Sequence, residues 1–288
     1  MLKGDVLRKQ IEIEPSDFIL KTFDGINLFA QCLVPYYNPK ALVILIHSIG
    51  EHCNRYQWLA EQLVEKDFAV LFFDLRNHGR SGGKKRFAAN YPDFLKDIES
   101  IVNQGIQMFP SIPVFIYGQG FGGNLALNYT ISGSPFIQGL IVTSPWLKPI
   151  KKNPAYQSLL IPYLMQIAPG FLIQTGLKAE DISRDLKAVY LYRNDPMISR
   201  KMGIKLLNQT NAAAIKASRS IYKINVPFLL MHGSADNFIS CQTSRDFVQN
   251  ASERTTFIEW EGAYHELHND IEKEKILEAI INWLNIQC

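Results

Sequence analysis

The stretch Tyr117-Gly118-Gln119-Gly120-Phe121-Gly122-Gly123 joins an apolar run, residues 114–118 (VFIYG), to a helix-like segment that begins near Asn124. A sharp strand-to-helix turn of this composition can expose one side chain at a strained apex, the position from which a nucleophile attacks a carbonyl. Small residues at Gly118 and Gly122 let strand and helix approach closely, with Gln119 between the first glycine and the apex. The apex itself is Gly120, where the hydrolase motif Gly-x-Ser-x-Gly has serine. The rival reading of a glycine-rich turn is a phosphate cradle. The lysine of a P-loop is absent, and the glycine spacing is off the dinucleotide fingerprint.

Two further segments carry acid–base chemistry. His-Gly-Ser-Ala-Asp (232–236) closes an apolar run and leaves Asp236 at its end, and Gly-Ala-Tyr-His (262–265) follows the run 255–259. The order elbow, acid, base, each on a loop after a strand, is the α/β-hydrolase order, in which Asp236 would orient His265 and His265 would act as general base. A lone Asp or His on a loop is ordinarily a solvated polar residue; all three positions in order make the catalytic reading the stronger one. The loop His47-Ser48-Ile49-Gly50-Glu51-His52 follows another apolar run. In such a site it supplies one oxyanion-hole N–H and the residue after the apex supplies the second, which gives Ile49 and Phe121 as donors. His47 and His52 are read as loop anchors, since neither occupies the general-base position.

The elements that must hold these residues are legible as alternation. Apolar runs at 41–47, 69–75, 114–118, 139–144 and 228–232 have the length and character of parallel strands buried on both faces. Amphipathic segments lie between them. Residues 56–66 align Leu59 with Leu63, residues 93–108 align Phe94, Ile98 and Ile101 behind Pro92, and 270–283 repeat Ile276, Leu277, Ile280 and Ile281 behind a cap at Asn269 or Asp270. The fold class is therefore α/β, a doubly wound, mostly parallel sheet in one domain spanning 1–288. Asp24-Gly25 marks an N-terminal hairpin that should form an antiparallel edge. Residues 146–220 hold no clear sheet strand and are broken by prolines; they predict a helical cap or lid over the C-terminal edge of the sheet.

At 288 residues, 47% hydrophobic and 20% charged, the chain is globular in composition, and a net charge of +3 gives no reason to expect nucleic acid as a partner. Residues 1–17 lack the apolar core of a signal peptide, and no apolar run reaches membrane-spanning length. Cys32, Cys53, Cys241 and Cys288 form no Cys-x-x-Cys pair, as expected for a cytoplasmic chain. Asp74 and His78 have no metal-ligand spacing and are read as fixing their own loop; no metal or cofactor is expected.

The segments HSIGEHCNRY, FDLRNHGRSGG, YGQGFGGNLAL, NDPMIS, VPFLLMHGSAD and EGAYHELHND together resemble the monoacylglycerol lipase group of the α/β hydrolases, also described as serine aminopeptidase S33 or Hydrolase_4 domains. The resemblance runs from about residue 17 to 283. It implies an α/β-hydrolase fold and carboxylic ester hydrolysis by Ser-His-Asp chemistry, with Asp236 as acid, His265 as base, and Ile49 and Phe121 as oxyanion donors. Two departures stand out. The family usually reads His-Gly before the oxyanion residue, where this chain has His47-Ser48, and Gly-His-Ser-x-Gly-Gly at the elbow, where it has Gln119 and Gly120.

Three readings of Gly120 stay open: an esterase inactivated by replacement of its serine, a pseudo-hydrolase that binds an acyl or ester ligand without cutting it, or a His–Asp pair acting directly or through Ser48. The first two leave the chain nearly inert as an ester hydrolase, and Gly120→Ser is then expected to complete the set. The cap run 159–173 (LLIPYLMQIAPGFLI) would line an acyl tunnel and touch a membrane surface transiently, or pack down on the sheet. Ser48, Trp146, Leu160 and Leu164 are the candidate substrate-binding residues. The resembling family implies lipid monoesters as substrate, with short-chain esters next and peptides third. Nothing in the sequence fixes the oligomeric state.

Overall fold

The computed structural model describes residues 16–83, 90–133, 136–149, 167–168 and 171–288. Strands β1 (Ser16–Lys21) and β2 (Asn27–Leu33) form the hairpin expected at Asp24-Gly25, with Gly25 at φ +81°. They are followed by β3 (Ala41–Ile46), α1 (Gln57–Val64), β4 (Phe68–Phe73), α2 (Tyr91–Met108), β5 (Val114–Gln119), α3 (Gly120–Ile131) and β6 (Gly139–Thr143). Beyond β6 come a short ribbon, β7 (Leu172–Gln174) with β8 (Lys201–Gly203), and helices α4 (Leu186–Asn194) and α5 (Ile204–Ser220). The chain then returns through β9 (Phe228–Gly233), α6 (Cys241–Val248), β10 (Thr255–Trp260) and α7 (Lys273–Gln287).

The main sheet has eight strands in the order β1-β2-β4-β3-β5-β6-β9-β10. β1, β2 and β4 pair antiparallel, and every pair from β4 to β10 is parallel. All six residues of β3 are buried, because the strand has a core on each side. Leu42, Ile44 and Ile46 join α2, α3 and α5 on one face; Ala41, Val43 and Leu45 join α1 and α7 on the other. Each such side chain taken fully out of water contributes about 1.5–3 kcal/mol, so the two faces hold the centre of the sheet rigid. The direction in which strands are added to the sheet reverses between β3 and β5: β3 leads through α1 to β4 on one side, and β5 leads through α3 to β6 on the other. In an open parallel sheet, ligands bind outside the strand ends at that switch point. The register there ends at Ile46 opposite Gly118, so two residues further on Ser48 and Gly120 lie abreast across it.

Three details depart from the expectations. Helix α3 starts at Gly120, four residues before the expected Asn124. Helix α7 starts at Lys273, and the preceding 3₁₀ turn, Leu267–Asn269, takes up the stretch expected to cap it. Asp270 accepts instead from Arg184 Nε at 3.1 Å and from the Glu272 N–H at 3.2 Å. Finally, the region between β6 and β9 contains a strand ribbon as well as helices. Its pieces, three residues each, are too short to show alternation. Most of the run 159–173, including Leu160 and Leu164, lies outside the described residues. Cys32, Cys53, Cys241 and Cys288 are unpaired. Among the described residues no helix is long and apolar enough to cross a membrane.

Candidate active site

The turn after β5 is built by steric necessity. A β-carbon on Gly118 would stand under 3.0 Å from the Gly122 carbonyl oxygen, and one on Gly122 under 3.0 Å from the carbonyl oxygens of Ile46 and His47. Only glycine permits the start of α3 to press on the end of β3 so closely. Gly120 has φ +55°, the left-handed conformation that a side chain at the apex strains to adopt. Its carbonyl accepts from the Trp146 N–H at 2.8 Å, which ties the elbow to the loop after β6.

The acid and base expected from the order of motifs meet. His265 Nδ1 donates to Asp236 Oδ2 at 2.7 Å, and both side chains are essentially buried. The second Asp236 oxygen accepts from the N–H groups of Phe238 at 2.8 Å and Ile239 at 3.0 Å. His232, four residues earlier, donates Nε2–H to Asp236 Oδ2 at 3.1 Å while its Nδ1 accepts from the Ser244 hydroxyl at 2.7 Å. Burial opposes ionisation of Asp236, but the charge of His265 and the two imidazole hydrogen bonds outweigh it and hold the carboxyl well below its usual range. For His265, burial works against the charged form, and Asp236 overcomes it and raises the imidazole above its ordinary value. Nε2 of His265 is buried with no partner among the described residues and faces Gly120: a β-carbon built there would lie 3.3 Å away. An unprotonated Nε2 there is a free acceptor, presented to an apex without a hydroxyl.

Ser48 occupies the space beside that apex. A β-carbon on Gly120 would be under 3.0 Å from Ser48 Oγ and 3.1 Å from Ser48 Cβ. The Phe121 N–H, expected to serve an oxyanion, donates to Ser48 Oγ at 3.1 Å. Ile49, the other expected donor, is buried in the same loop. A serine at 120 could therefore join the set only if Ser48 Oγ turns away from the added β-carbon. Gln119 turns away from the reaction centre, its Nε2 donating to the His265 carbonyl at 3.3 Å and its Oε1 accepting from Tyr56 at 3.4 Å.

The histidines of the loop after β3 anchor that loop. His47 Nε2 accepts from the Leu75 N–H at 2.9 Å, so Nδ1 carries the proton and donates to the Ser48 carbonyl at 2.6 Å. His52 Nε2 lies 2.7 Å from Asp195 Oδ2. Asp74 accepts from the N–H groups of Cys53 at 2.8 Å and Arg80 at 2.7 Å, and His78 donates to the Arg76 carbonyl at 2.8 Å, so both fix loops. Among the described residues no cluster could hold a metal ion.

Sequence reasoning missed two supports. Glu51 accepts from the Ser48 N–H at 2.6 Å and the Tyr56 hydroxyl at 2.7 Å and pairs with Arg55, which also pairs with Glu266, the neighbour of His265. Burial opposes ionisation of Glu51, yet Arg55, His47, His268 and the Ser48 N–H together outweigh it and hold that carboxyl low, whereas burial pushes Glu266 up. Glu51 and Arg55 stand four apart, a signal that on its own reads only as a helical ion pair. Phe238 packs edge-on to His265 at 5.1 Å and to Trp146 at 5.3 Å, so Trp146 reaches the base through a second ring. The Trp146 indole N–H donates to Asn211 in α5 at 3.1 Å, which makes it a wall between the sheet and the segment above it. A surface groove of about 660 Å³ lined by Trp58, Leu191 and Met197 includes none of Gly120, Asp236 and His265.

Comparison with known proteins places this geometry. Residues 37–272 match the family model described as serine aminopeptidase, S33. The chain is 29% identical over 270 residues to the monoglyceride lipase of Rattus norvegicus, covering 91% of this chain and 88% of that one. It is 25% identical over 262 residues to the monoacylglycerol lipase of Mycolicibacterium smegmatis, covering 90% and 93%. Among solved structures, the Paleococcus ferrophilus monoacylglycerol lipase superposes with a TM-score of 0.82 at 29% identity, covering 91% of this chain and 99% of the other. With a sheet of the same class, an acid–base pair on the expected loops and a match over most of its length, the chain belongs to the serine aminopeptidase S33 family and is a monoacylglycerol lipase-like α/β hydrolase.

Proposed function

We propose that the chain binds a lipid monoester, or another carboxylic ester of a fatty acid, at the switch point above Gly120, and that Gly120 contributes no chemistry there. The observation that supports this is convergence: His265 Nε2 lies 3.3 Å from the point a β-carbon of residue 120 would occupy, and the Phe121 N–H donates to Ser48 Oγ, which is under 3.0 Å from that same point. The substrate class is the one in the names of the monoglyceride and monoacylglycerol lipase relatives, which supports this reading. In a serine protease, loss of the nucleophile alone costs about 10⁶ in turnover, so hydrolysis through the elbow apex is absent. Residues of about 146–220 would cap the site and supply its acyl-binding wall; Trp146, packed on Phe238 beside His265, forms part of that wall.

The test is binding, independent of turnover. A monoalkyl glyceryl ether, which has no scissile carbonyl, is added to the folded protein and the unfolding temperature is followed. At a hundred times its Kd a ligand stabilises the native state by about 2.7 kcal/mol, a rise of several degrees for a chain of this size. A rise that grows with ether concentration supports the reading. No rise with ethers from short to long chain overturns it.

A further inference from the structure

We propose that Ser48 is the nucleophile of this site, standing across the switch point from the position an apex serine would hold, with His265 as its base. The proposal rests on the ester-site reading above and deepens it.

The placement follows from the sheet. Because β3 and β5 end in register at Ile46 and Gly118, residues 48 and 120 lie abreast, and a side chain on either one can reach the same point. In this chain the side chain belongs to Ser48 and the glycine stands at 120. Three observations locate the hydroxyl at the reaction centre. Ser48 Oγ lies under 3.0 Å from the point a β-carbon of residue 120 would occupy, and that same point is 3.3 Å from His265 Nε2. The Phe121 N–H holds the oxygen at 3.1 Å. Ser48 Oγ accepts that bond and donates none among the described residues, while His265 Nε2 is a buried acceptor without a donor. A serine that served the loop alone would give its proton to a carbonyl, as Ser81 does to Asp74 at 2.6 Å.

The loop around Ser48 is also held as a reacting residue requires. Its N–H donates to Glu51 at 2.6 Å and its carbonyl accepts from His47 at 2.6 Å, so both flanking peptide groups are fixed by buried side chains. Only the side-chain torsion of Ser48 remains free of those two backbone bonds.

The chemistry balances with groups already present. Ser48 Oγ forms a bond to the ester carbonyl carbon as its proton passes to His265 Nε2, and the carbonyl π pair moves onto oxygen. The oxyanion pair re-forms the C=O bond as the carbon–oxygen bond to the alcohol breaks, and the alcohol leaves with the proton from His265. Oγ is now an ester oxygen and a weaker acceptor, which frees the Phe121 N–H to join Ile49 in holding the carbonyl oxygen. Water adds to the acyl group with its proton going to His265, and collapse releases the carboxylic acid and restores the Ser48 hydroxyl. Asp236 remains ionised throughout and orients the imidazole. Glycine at 120 is then a requirement of the arrangement, since a β-carbon there would stand between hydroxyl and base.

The experiment uses an alkyl fluorophosphonate and mass spectrometry of the intact and digested protein. Attack by Ser48 forms an O–P bond, breaks P–F and releases fluoride, with the proton taken by His265. The expected result is one phosphonyl adduct on the peptide containing Ser48. The adduct is lost in Ser48→Ala and forms at least tenfold more slowly in His265→Ala and Gly120→Ala. Each variant is shown to be folded by its circular dichroism and unfolding transition, and hydrolysis of a chromogenic short-chain ester should fall in parallel. If the unaltered chain binds the glyceryl ether but carries no adduct at Ser48, or if Ser48→Ala keeps its ester turnover, this proposal is overturned and the ester-site reading stands. If neither ether nor fluorophosphonate engages the folded protein, both fail.

Discussion

Residues 48 and 120 share one small volume, and what the site does depends on which of them carries a side chain. Gly120→Ser puts two hydroxymethyl groups into that volume, forcing one off its position. Displacement of a reacting group by about 1 Å can cost 10²-fold in rate. The single variant is therefore expected to hydrolyse a chromogenic ester about 10²-fold more slowly than the exchange Ser48→Gly/Gly120→Ser, in which a fluorophosphonate adduct should move from residue 48 to residue 120. Equal rates for the single variant and the exchange would show that the crowding has no effect. A second prediction concerns proton transfer. His265 must be neutral to accept, and Asp236, with smaller help from Glu266 and Glu51, raises its pKa. Phosphonylation should thus climb with pH through a midpoint above the ordinary imidazole value of about 6.5, and Asp236→Asn should lower both the midpoint and the plateau. A midpoint unchanged by Asp236→Asn would remove Asp236 from the raised pKa. The sequence made Asp236 and His265 legible because each closes a strand in the right order. It raised Ser48 only as one of three readings and could not place it beside residue 120, because the adjacency of 48 and 120 belongs to the register between β3 and β5 and to no linear motif.

Among the elements, the hairpin β1–β2 and helix α2 meet at one buried cation. Arg76 is 2% exposed and makes two hydrogen bonds of 2.6 Å to Asp97, which is fully buried in α2, and further bonds to Asp24 in the hairpin turn at 3.0 and 3.3 Å. Burial pushes the Asp97 carboxyl up, with Arg76 pulling against it. Arg76→Met removes that partner and leaves a carboxylate without compensation, at a cost of about 3–5 kcal/mol. The double change Arg76→Met/Asp97→Leu should recover most of it, as read from urea unfolding midpoints; a single variant as stable as the parent would mean that Asp97 is not held by this pair. The strands themselves could be read from the sequence, since a strand with a core on both faces is apolar at every position, as 41–46 and 68–73 are. Helix α3 was harder to delimit: its first turn is Gly120-Phe121-Gly122-Gly123, a poor helix former that tertiary packing nonetheless winds.

For the whole molecule, acid stability should be set by buried histidines. Burial pushes His78 down to about 4 and His268 down to about 3, and lowers His47. A folded-state pKa below the unfolded value of about 6.5 means that the unfolded chain binds more protons between the two. Stability from these groups is complete above about 6.5 and is lost as pH falls through the folded values. His265 has the opposite sign: its raised pKa stabilises below about 6.5 and opposes them. The unfolding temperature should therefore decline from near pH 6.5 downward, earlier than carboxylates alone would cause. His268 offers the check, because both its ring nitrogens lack partners among the described residues and its ring stacks on Tyr56 at 4.2 Å. His268→Phe keeps the stack, removes unsatisfied groups worth about 1–3 kcal/mol, and should raise the unfolding temperature at pH 5 more than at pH 7. An unchanged slope would clear His268 of any part in it.

The register that sets Ser48 beside Gly120 also constrains how such a site can change by descent. A chain with glycine at 48 and serine at 120 differs from this one at two positions, and single mutations connect them by only two routes. One passes through a protein with two side chains crowded into the same space, the other through a protein with none and no attacking group at all. With Ser48 as the attacking group, either intermediate is poorer than both ends, so the two arrangements are separated by a barrier in sequence space, and a lineage settled in one would tend to stay there even though two substitutions would carry it across.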